Sequence, residues 1–150
     1  MIEIISQSPQ QTVAIGQRLG RLLKSGQSVL ITGEFGCGKT TLIKGIARQF
    51  ELPPEAVTSA SFTIIAEHDT PIPFYHIDLY RLTDIDSIFE CGVFECLGGE
   101  GVAVIEWADR LDGYFKGDIY ITMTHCQSLG EESQRRLIIE GIDEKDWNNL

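Results

Sequence analysis

The chain has 150 residues and a formal net charge of −10. Its 43% hydrophobic and 23% charged residues are typical of a globular protein and exclude wholesale disorder. Length alone favours a single domain that covers residues 1–150, with enough residues to bury a core of its own. A surface this acidic repels phosphate backbones, so unassisted, non-specific binding to nucleic acid is not expected.

Composition also bears on the cellular compartment. No apolar run approaches the roughly 20 residues that a membrane helix needs. The first six residues include an acid and lack the basic start of a signal peptide. Four cysteines in such a chain indicate reduced thiols in a cytoplasmic protein. Neither they nor the three histidines have the close spacing of zinc ligands, so buried thiols are the favoured interpretation.

The predicted elements alternate between strands and helices. In the first half of the chain we expect a strand at 1–5, a helix from the N-cap Ser8 to about Gly26, a buried strand at 28–32 and a helix from Lys39 that ends before Pro53. A strand pair at 57–68 and 73–79 follows, and then a helix that begins at 83–86. The last predicted elements are a buried strand at 102–105 and closing strands at 119–124 and 137–139. In the helix after residue 83, Ile85, Ile88 and Phe89 are expected to face inward. This order predicts an α/β fold with a parallel core and some antiparallel pairing.

The most specific motif is the segment from Gly33 to Thr40, GEFGCGKT, which matches the P-loop pattern G-x-x-x-x-G-K-[ST] at every fixed position. A predicted strand precedes it and a predicted helix follows it, as a P-loop requires. The glycines let backbone N–H groups form an anion cradle, and the helix N-terminus adds partial positive charge. We therefore expect Lys39 to reach the outer phosphates of a nucleotide and the Thr40 hydroxyl to bind magnesium.

Two acids follow predicted strands and are candidates for the remaining chemistry. Glu106 ends the apolar run at 102–105, where it is placed to hold the metal directly or through water. Asp78 lies in the segment HIDLYR, where it is placed to orient or deprotonate water or to bind the ion. Arg81 is placed to neutralise phosphate charge, although a plain ion pair with Asp78 explains its position equally well.

Other motifs restrict the class of nucleotide-binding protein. The chain has no N-K-x-D or D-x-x-G motif, which argues against a small GTPase, and no L-S-G-G-Q signature, which argues against an ABC ATPase. Adenine is therefore favoured by elimination.

The P-loop, the segment SASFT at 59–63, the segment HIDLYR at 76–81 and the segment IEW at 105–107 resemble, in order and spacing, the TsaE (YjeE) family. The resemblance covers essentially the whole chain. It implies a P-loop NTPase-like fold, a mixed sheet with flanking helices in three layers. It also implies a magnesium-dependent ATPase that supports the TsaB and TsaD proteins in threonylcarbamoyladenosine modification of tRNA position 37, with tRNA contacted only through those partners.

The resemblance further assigns roles to individual residues. It implies that ATP phosphates are held by Gly36, Cys37, Gly38, Lys39, Thr40 and Thr41. It implies that Thr40 and Glu106 bind magnesium and that Asp78 is the essential acid near the γ-phosphate. Trp107 is expected beside the nucleotide, with a half-buried core position as the alternative.

The segment at 59–63 departs from the family's usual Ser-Pro-Thr-[Phe/Tyr]-Thr switch. Ala60 lacks the fixed φ of proline, so the switch is expected to be more mobile. Ser61 keeps a hydroxyl, so a metal or phosphate contact is retained in the prediction.

Two further positions leave alternatives open. Cys37 stands at a helix N-terminus beside Lys39, an environment that lowers a thiol pKa, and an inert small filler is its other interpretation. The pair Arg135 and Arg136 either approaches the phosphates or adenine, or is a solvated pair at a strand end.

Two rival functions remain. A small-metabolite P-loop kinase usually carries an arginine-rich lid, which the scattered basic residues do not suggest. A nucleotide-binding adaptor without catalysis predicts that Asp78→Ala leaves function intact.

Overall fold

The computed structural model of the chain describes residues 1–58, 64–126 and 134–150. Its strands are β1 (Ile2–Ser6), β2 (Ser28–Gly33), β3 (Ile65–His68), β4 (Phe74–Asp78), β5 (Val102–Glu106), β6 (Ile119–His125) and β7 (Arg135–Glu140). Its α-helices are α1 (Pro9–Leu22), α2 (Lys39–Arg48), α3 (Ile85–Glu90) and α4 (Glu144–Asn148). Short 3-10 helices lie at Pro54–Ala56, Phe94–Cys96 and Ala108–Leu111. Among the described residues, no helix has the length and apolar character needed to cross a membrane.

The strands form one mixed sheet in the order β1-β7-β6-β2-β5-β4-β3. Strands β6, β2, β5 and β4 are parallel neighbours, which confirms the predicted parallel core. Antiparallel pairs close the sheet on both sides, β3 against β4 at one edge and β7 between β6 and β1 at the other. Because parallel strands end at the same edge, β2, β4 and β5 bring their carboxyl ends together.

Helices cover both faces of this sheet, which gives the three layers expected for the fold. Apolar side chains of α1, α2 and α4 pack on one face, in a core that includes Leu19, Ile43 and Trp147. Side chains of α3 and of the 3-10 helix at Ala108–Leu111 pack on the other, in a core that includes Ile88 and Leu111. Burial of these apolar surfaces is the main source of the fold's stability.

Glycines let α1 and α2 cross at unusually short range. A Cβ atom added at Gly16 would overlap Leu42 O and lie 2.9 Å from the Cα of Gly45. A Cβ atom added at Gly45 would overlap Val13 O. The backbone of α2 is thereby held directly on α1, which fixes the position of the loop that precedes α2.

Several predicted elements differ from the structure in extent or orientation. Helix α1 ends at Leu22 rather than near Gly26. Of the strand predicted at 57–68, the structure describes β3 at Ile65–His68, and a 3-10 turn at Pro54–Ala56 precedes the predicted start. Phe89, predicted to face inward, is 48% exposed. Helix α3 spans less than two turns; Ile88 is buried in the core and Ile85 packs against it, so both face inward as predicted.

The acids Asp143, Glu144 and Asp146 are exposed and lie at the start of helix α4. Asp143 caps α4 by accepting a hydrogen bond from the Lys145 amide. Trp147, which belongs to none of the motifs, is buried with the Arg18 guanidinium 4.3 Å from its ring centroid.

Candidate functional site

The loop at 33–40 joins β2 to α2 and has the backbone conformation of an anion cradle. Gly36 and Gly38 have φ values of 71° and 96°, which side-chain-bearing residues rarely adopt. A Cβ atom added at Gly33 would lie 2.7 Å from both Cys37 Sγ and Met123 O. Helix α2 begins at Lys39, so its free N–H groups face the loop. The local sequence thus folds as the P-loop pattern predicts.

Lys39 lies within this loop rather than in solvent. Its Nζ donates hydrogen bonds to Gly33 O at 2.6 Å and Glu34 O at 2.8 Å. The same atom is 4.5 Å from the centroid of the Trp107 ring, close enough for a cation–π interaction. Lys39 as a residue is 6% exposed, and loop carbonyls hold its ammonium group beside the loop, where it would meet an anion.

A cavity of about 530 Å³ opens beside the loop. Its lining residues are Phe35, Gly36, Gly38, Lys39, Thr40, Thr41, Asp78, Tyr80, Arg81, Glu106 and Trp107. The structure therefore brings most of the residues singled out from the sequence into one space. That volume falls within the usual range for small-molecule and cofactor sites.

Asp78 ends β4 and faces the cavity while being only 9% exposed. Its Oδ1 accepts a hydrogen bond of 2.9 Å from the Tyr80 amide. Burial raises the pKa of the Asp78 carboxyl above its usual range, and the neighbouring Glu106 charge adds to this, while the Tyr80 amide opposes it. A carboxyl with a raised pKa is better matched to accepting a proton near neutral pH.

Glu106 ends β5 directly opposite Asp78 in the register of the two strands. Its Oε2 lies 2.6 Å from His76 Nε2, and both side chains are 4% exposed. An ionised carboxylate only accepts hydrogen bonds, so the imidazole donates to it in that state. His76 and Asp78 are two residues apart and share a face of β4. The buried carboxylate is thus fixed by one histidine.

Three aromatic rings form a wall at the cavity. The ring centroids of Phe35 and Tyr80 are 4.6 Å apart, those of Phe35 and Trp107 are 5.2 Å apart, and those of Tyr80 and Trp107 are 5.1 Å apart. The Arg110 guanidinium lies 5.7 Å from the Tyr80 ring and 5.8 Å from the Trp107 ring. Trp107 is partly exposed and has a φ of 56°, a strained conformation for a bulky residue. It therefore belongs to the site and not only to the core.

The prediction of an activated Cys37 thiol is wrong. The side chain is fully buried in the core beneath the loop, and Cys37 is not among the cavity-lining residues. Burial raises the pKa of the thiol, and the nearby Lys39 charge offsets this only in part. Cys37 is thus the small filler of the alternative interpretation, and only its backbone belongs to the loop.

The two C-terminal arginines separate in the structure. Arg135 Nη2 donates to Gly36 O at 3.2 Å, so this side chain reaches the P-loop although it does not line the cavity. Arg136 pairs with Glu3 at 2.8 Å on the surface. His125, opposite Arg135 in the register of β6 and β7, has Nε2 3.4 Å from Phe35 O. Both strands therefore contact the loop from its outer side. Ser61, with the rest of the segment at 59–63, lies outside the described residues.

The donor set fits magnesium bound together with phosphates rather than a metal held by protein alone. In the described ranges there is no cluster of three or more His, Cys, Asp or Glu side chains that could hold a metal ion. Magnesium usually takes one or two protein oxygens and completes its shell with phosphate oxygens and water. Thr40 and Glu106 line the same cavity and are oxygen donors of that kind.

Sequence reasoning missed four contributors to the site. His76, in the segment HIDLYR, has a period-2 spacing to Asp78 that signals a shared strand face. Phe35 occupies a variable position of the P-loop pattern and carries no such signal. Tyr80 lies within the segment HIDLYR, but no role was predicted for it. The proximity of His125 to the loop depends on the pairing of β6 with β2, which the local sequence does not specify.

Comparisons with known proteins agree with this geometry. The family model described as "Threonylcarbamoyl adenosine biosynthesis protein TsaE" matches residues 6–137. Among curated relatives, a protein of Treponema pallidum named "tRNA threonylcarbamoyladenosine biosynthesis protein TsaE" is 39% identical over 107 residues, which cover 71% of this chain and 78% of that protein. A Nostoc protein of the same name is 32% identical over 140 residues, 91% of this chain and 83% of that one. The crystal structure of Bacillus subtilis YdiB superposes with a TM-score of 0.66 at 28% identity, covering 91% of this chain and 82% of that chain.

Proposed function

The chain belongs to the TsaE family of threonylcarbamoyl adenosine biosynthesis proteins, and from this premise we propose that it is a magnesium-dependent ATPase. It supports the TsaB–TsaD assembly in threonylcarbamoyladenosine modification of tRNA. The observation that carries this proposal is the single cavity lined by Lys39, Thr40, Asp78 and Glu106.

In this proposal the loop at 33–40 and the side chain of Lys39 bind the phosphates. The backbone amides around Gly36 and Gly38 and the N-terminus of α2 present partial positive charge to a phosphate chain. Lys39 exchanges its hydrogen bonds with Gly33 O and Glu34 O for bonds to phosphate oxygens. Because those carbonyls lie in the same loop, this exchange needs only a short movement of the side chain.

Asp78 accepts a proton from the attacking water or orients it. Its raised pKa suits a group that must hold a proton briefly. Thr40 and Glu106 would hold magnesium, which when bound neutralises charge on the phosphates. His76 keeps the Glu106 carboxylate in one orientation through the bond of 2.6 Å.

The acidic surface supports a division of labour with partner proteins. A net charge of −10 opposes direct contact with tRNA, so the partners, not this chain, contact the nucleic acid in this proposal. Turnover by the isolated chain is expected to be slow, because efficient phosphoryl transfer needs every charge-stabilising group in place.

The test is ATP hydrolysis with and without purified TsaB and TsaD proteins. Lys39→Ala provides the blank, and Lys44→Ala is its matched control, since Lys44 lies on the same helix but lines a separate groove. We expect stimulation by the partners that disappears in Lys39→Ala and persists in Lys44→Ala. Hydrolysis no higher than the blank under both conditions, with ATP still bound, would instead support the non-catalytic adaptor.

The role of Asp78 is tested separately with Asp78→Ala. We expect ATP to bind to this variant without being hydrolysed. Unchanged hydrolysis by this variant would show that Asp78 has no part in the mechanism. Transfer of phosphate from ATP to a small metabolite by the wild type would instead support the alternative function of a small-metabolite kinase.

A further inference from the structure

An aromatic cluster lies on the face of the sheet that α3 covers, among residues that do not line the nucleotide cavity. We call it the aromatic patch and define it as Phe89, Phe94, Tyr114 and Phe115. The rings of Phe89 and Phe94 stack with centroids 4.3 Å apart and an interplanar angle of 19°. Tyr114 meets Phe89 edge-on at 6.2 Å, and Phe115 meets Phe94 edge-on at 6.5 Å. The four rings therefore form one continuous surface.

The outer part of the patch is open to solvent. Phe89 is 48% exposed and Tyr114 is 61% exposed. Phe94 and Phe115 are partly buried and pack on the core beneath them, so the patch rests on a firm base. Aromatic side chains held in place in this way lose little conformational freedom on binding, and they are enriched at protein interfaces.

The surface around the patch is mainly acidic, although the exposed Lys116 directly follows Phe115. Residues 84–97 contain four acids, all exposed, and no Lys or Arg; they are Asp84, Asp86, Glu90 and Glu95. Asp86 lies one helical turn before Phe89 and Glu90 directly follows it, so these carboxylates flank the exposed ring. In the neighbouring segment the guanidinium of Arg110 is directed to Leu82 O and the cavity rings.

We propose that the aromatic patch binds a protein partner that presents apolar side chains within a positively charged surface. A second copy of this chain fits poorly, since a symmetric contact would set the two acidic rims against each other. Nucleic acid and anionic membranes are repelled by the same charges. The inference rests on the proposed function in one respect, because the TsaB–TsaD pair is the first probe of its test.

The first test compares dissociation constants of the TsaB–TsaD pair for the wild type and the double variant Phe89→Ser/Tyr114→Ser. We expect the variant to bind at least about tenfold more weakly, because exposed aromatic anchors dominate binding energy. Its ATP affinity should be unchanged, which also confirms that it is folded. Ile5→Ser/Ile72→Ser is the matched control, since both residues are exposed apolar side chains outside the patch.

The charge of the rim is tested with Asp86→Asn/Glu90→Gln. We expect weaker binding at low salt and a smaller loss of affinity on adding salt than in the wild type. Salt dependence equal to that of the wild type would contradict the electrostatic part of the proposal. Equal affinity of the Phe89→Ser/Tyr114→Ser variant and the wild type would overturn the proposal as a whole.

A second probe separates failure of the patch from failure of the proposed function. If the wild type does not bind the TsaB–TsaD pair, the proposed function fails, and a peptide of alternating Leu and Lys then tests the patch by amide chemical-shift changes. Shifts confined to residues 84–97 and 109–116 would support the proposal. The absence of chemical-shift changes, or changes spread over the acidic surface, would overturn the proposal. The proposal would also be overturned if the wild type formed a dimer and the Phe89→Ser/Tyr114→Ser variant were a monomer.

Discussion

Replacing His76 by alanine should destabilise the fold and weaken metal-dependent nucleotide binding at once. The change removes the 2.6 Å bond to Glu106 and leaves a 4%-exposed carboxylate without that partner. Leaving a buried polar group without its hydrogen-bond partner typically costs about 1–3 kcal/mol, and more when the group is charged. A domain stabilised by roughly 5–15 kcal/mol keeps a folded majority after such a loss. His76→Gln, which retains an N–H donor, should lose clearly less.

Urea unfolding at pH 7 measures the effect, with an unchanged m-value as evidence that two-state behaviour is kept. The double variant His76→Ala/Glu106→Gln completes a mutant cycle, because glutamine removes the buried charge. If the pair is coupled, the double variant is more stable than the sum of the single losses predicts by about 1.5 kcal/mol or more. Additivity within about 0.5 kcal/mol would refute the pairing and, with it, the argument that His76 positions Glu106.

Three further predictions concern single side chains. Asp78→Asn should abolish hydrolysis yet raise the melting temperature at pH 7. The folded-state pKa of Asp78 lies above its ordinary 3.8, so the wild type loses stability relative to the variant as pH rises above that value. The difference in melting temperature between the two proteins should therefore disappear in more acidic buffer. Gly45→Ala should lower the free energy of unfolding in a urea titration by about 1–3 kcal/mol, because the added Cβ has no room against α1. This loss outweighs the gain of roughly 1 kcal/mol in helix propensity. Gly99→Ala is the control and should be neutral, because open space surrounds Gly99. Cys37, fully buried and with a raised pKa, should react with iodoacetamide far more slowly than the exposed Cys91, and mass spectrometry of early time points showing equal labelling would contradict the described burial.

The parts of the site that local sequence determines could be predicted. A P-loop is a contiguous pattern whose conformation depends on its own glycines, so Gly36, Gly38 and Lys39 lie in the loop conformation that the pattern predicts. Glu106 and Asp78 were also predictable, because each follows an apolar run and parallel strands end at one edge. Order along the chain therefore sufficed to place these side chains at one end of the sheet.

The remaining features depend on contacts between distant segments. His76 meets Glu106 only through the register of β4 and β5, which no local pattern specifies. Cys37 is buried because the loop packs against Met123 of β6, so the sign of its pKa shift could not be inferred from Lys39 alone. Phe89 stacks on Phe94, which lies beyond the end of its own helix, and stays 48% exposed; helical spacing alone did not indicate this contact.

One short segment links the nucleotide cavity to the aromatic patch. Glu106 and Trp107 line the cavity, while Tyr114 and Phe115, a few residues later, belong to the patch. Trp107 holds a strained φ of 56° at the start of this segment, so a small displacement of residues 108–115 changes the backbone where the site begins. Occupants of the two surfaces should therefore affect each other's affinity, and linkage makes the effect reciprocal. We expect ATP affinity to change about fivefold or more when the alternating Leu–Lys peptide saturates the patch. Titration of ATP with and without the peptide measures this, the Phe89→Ser/Tyr114→Ser variant serves as the control, and identical ATP affinities in the wild type would show that the segment transmits nothing.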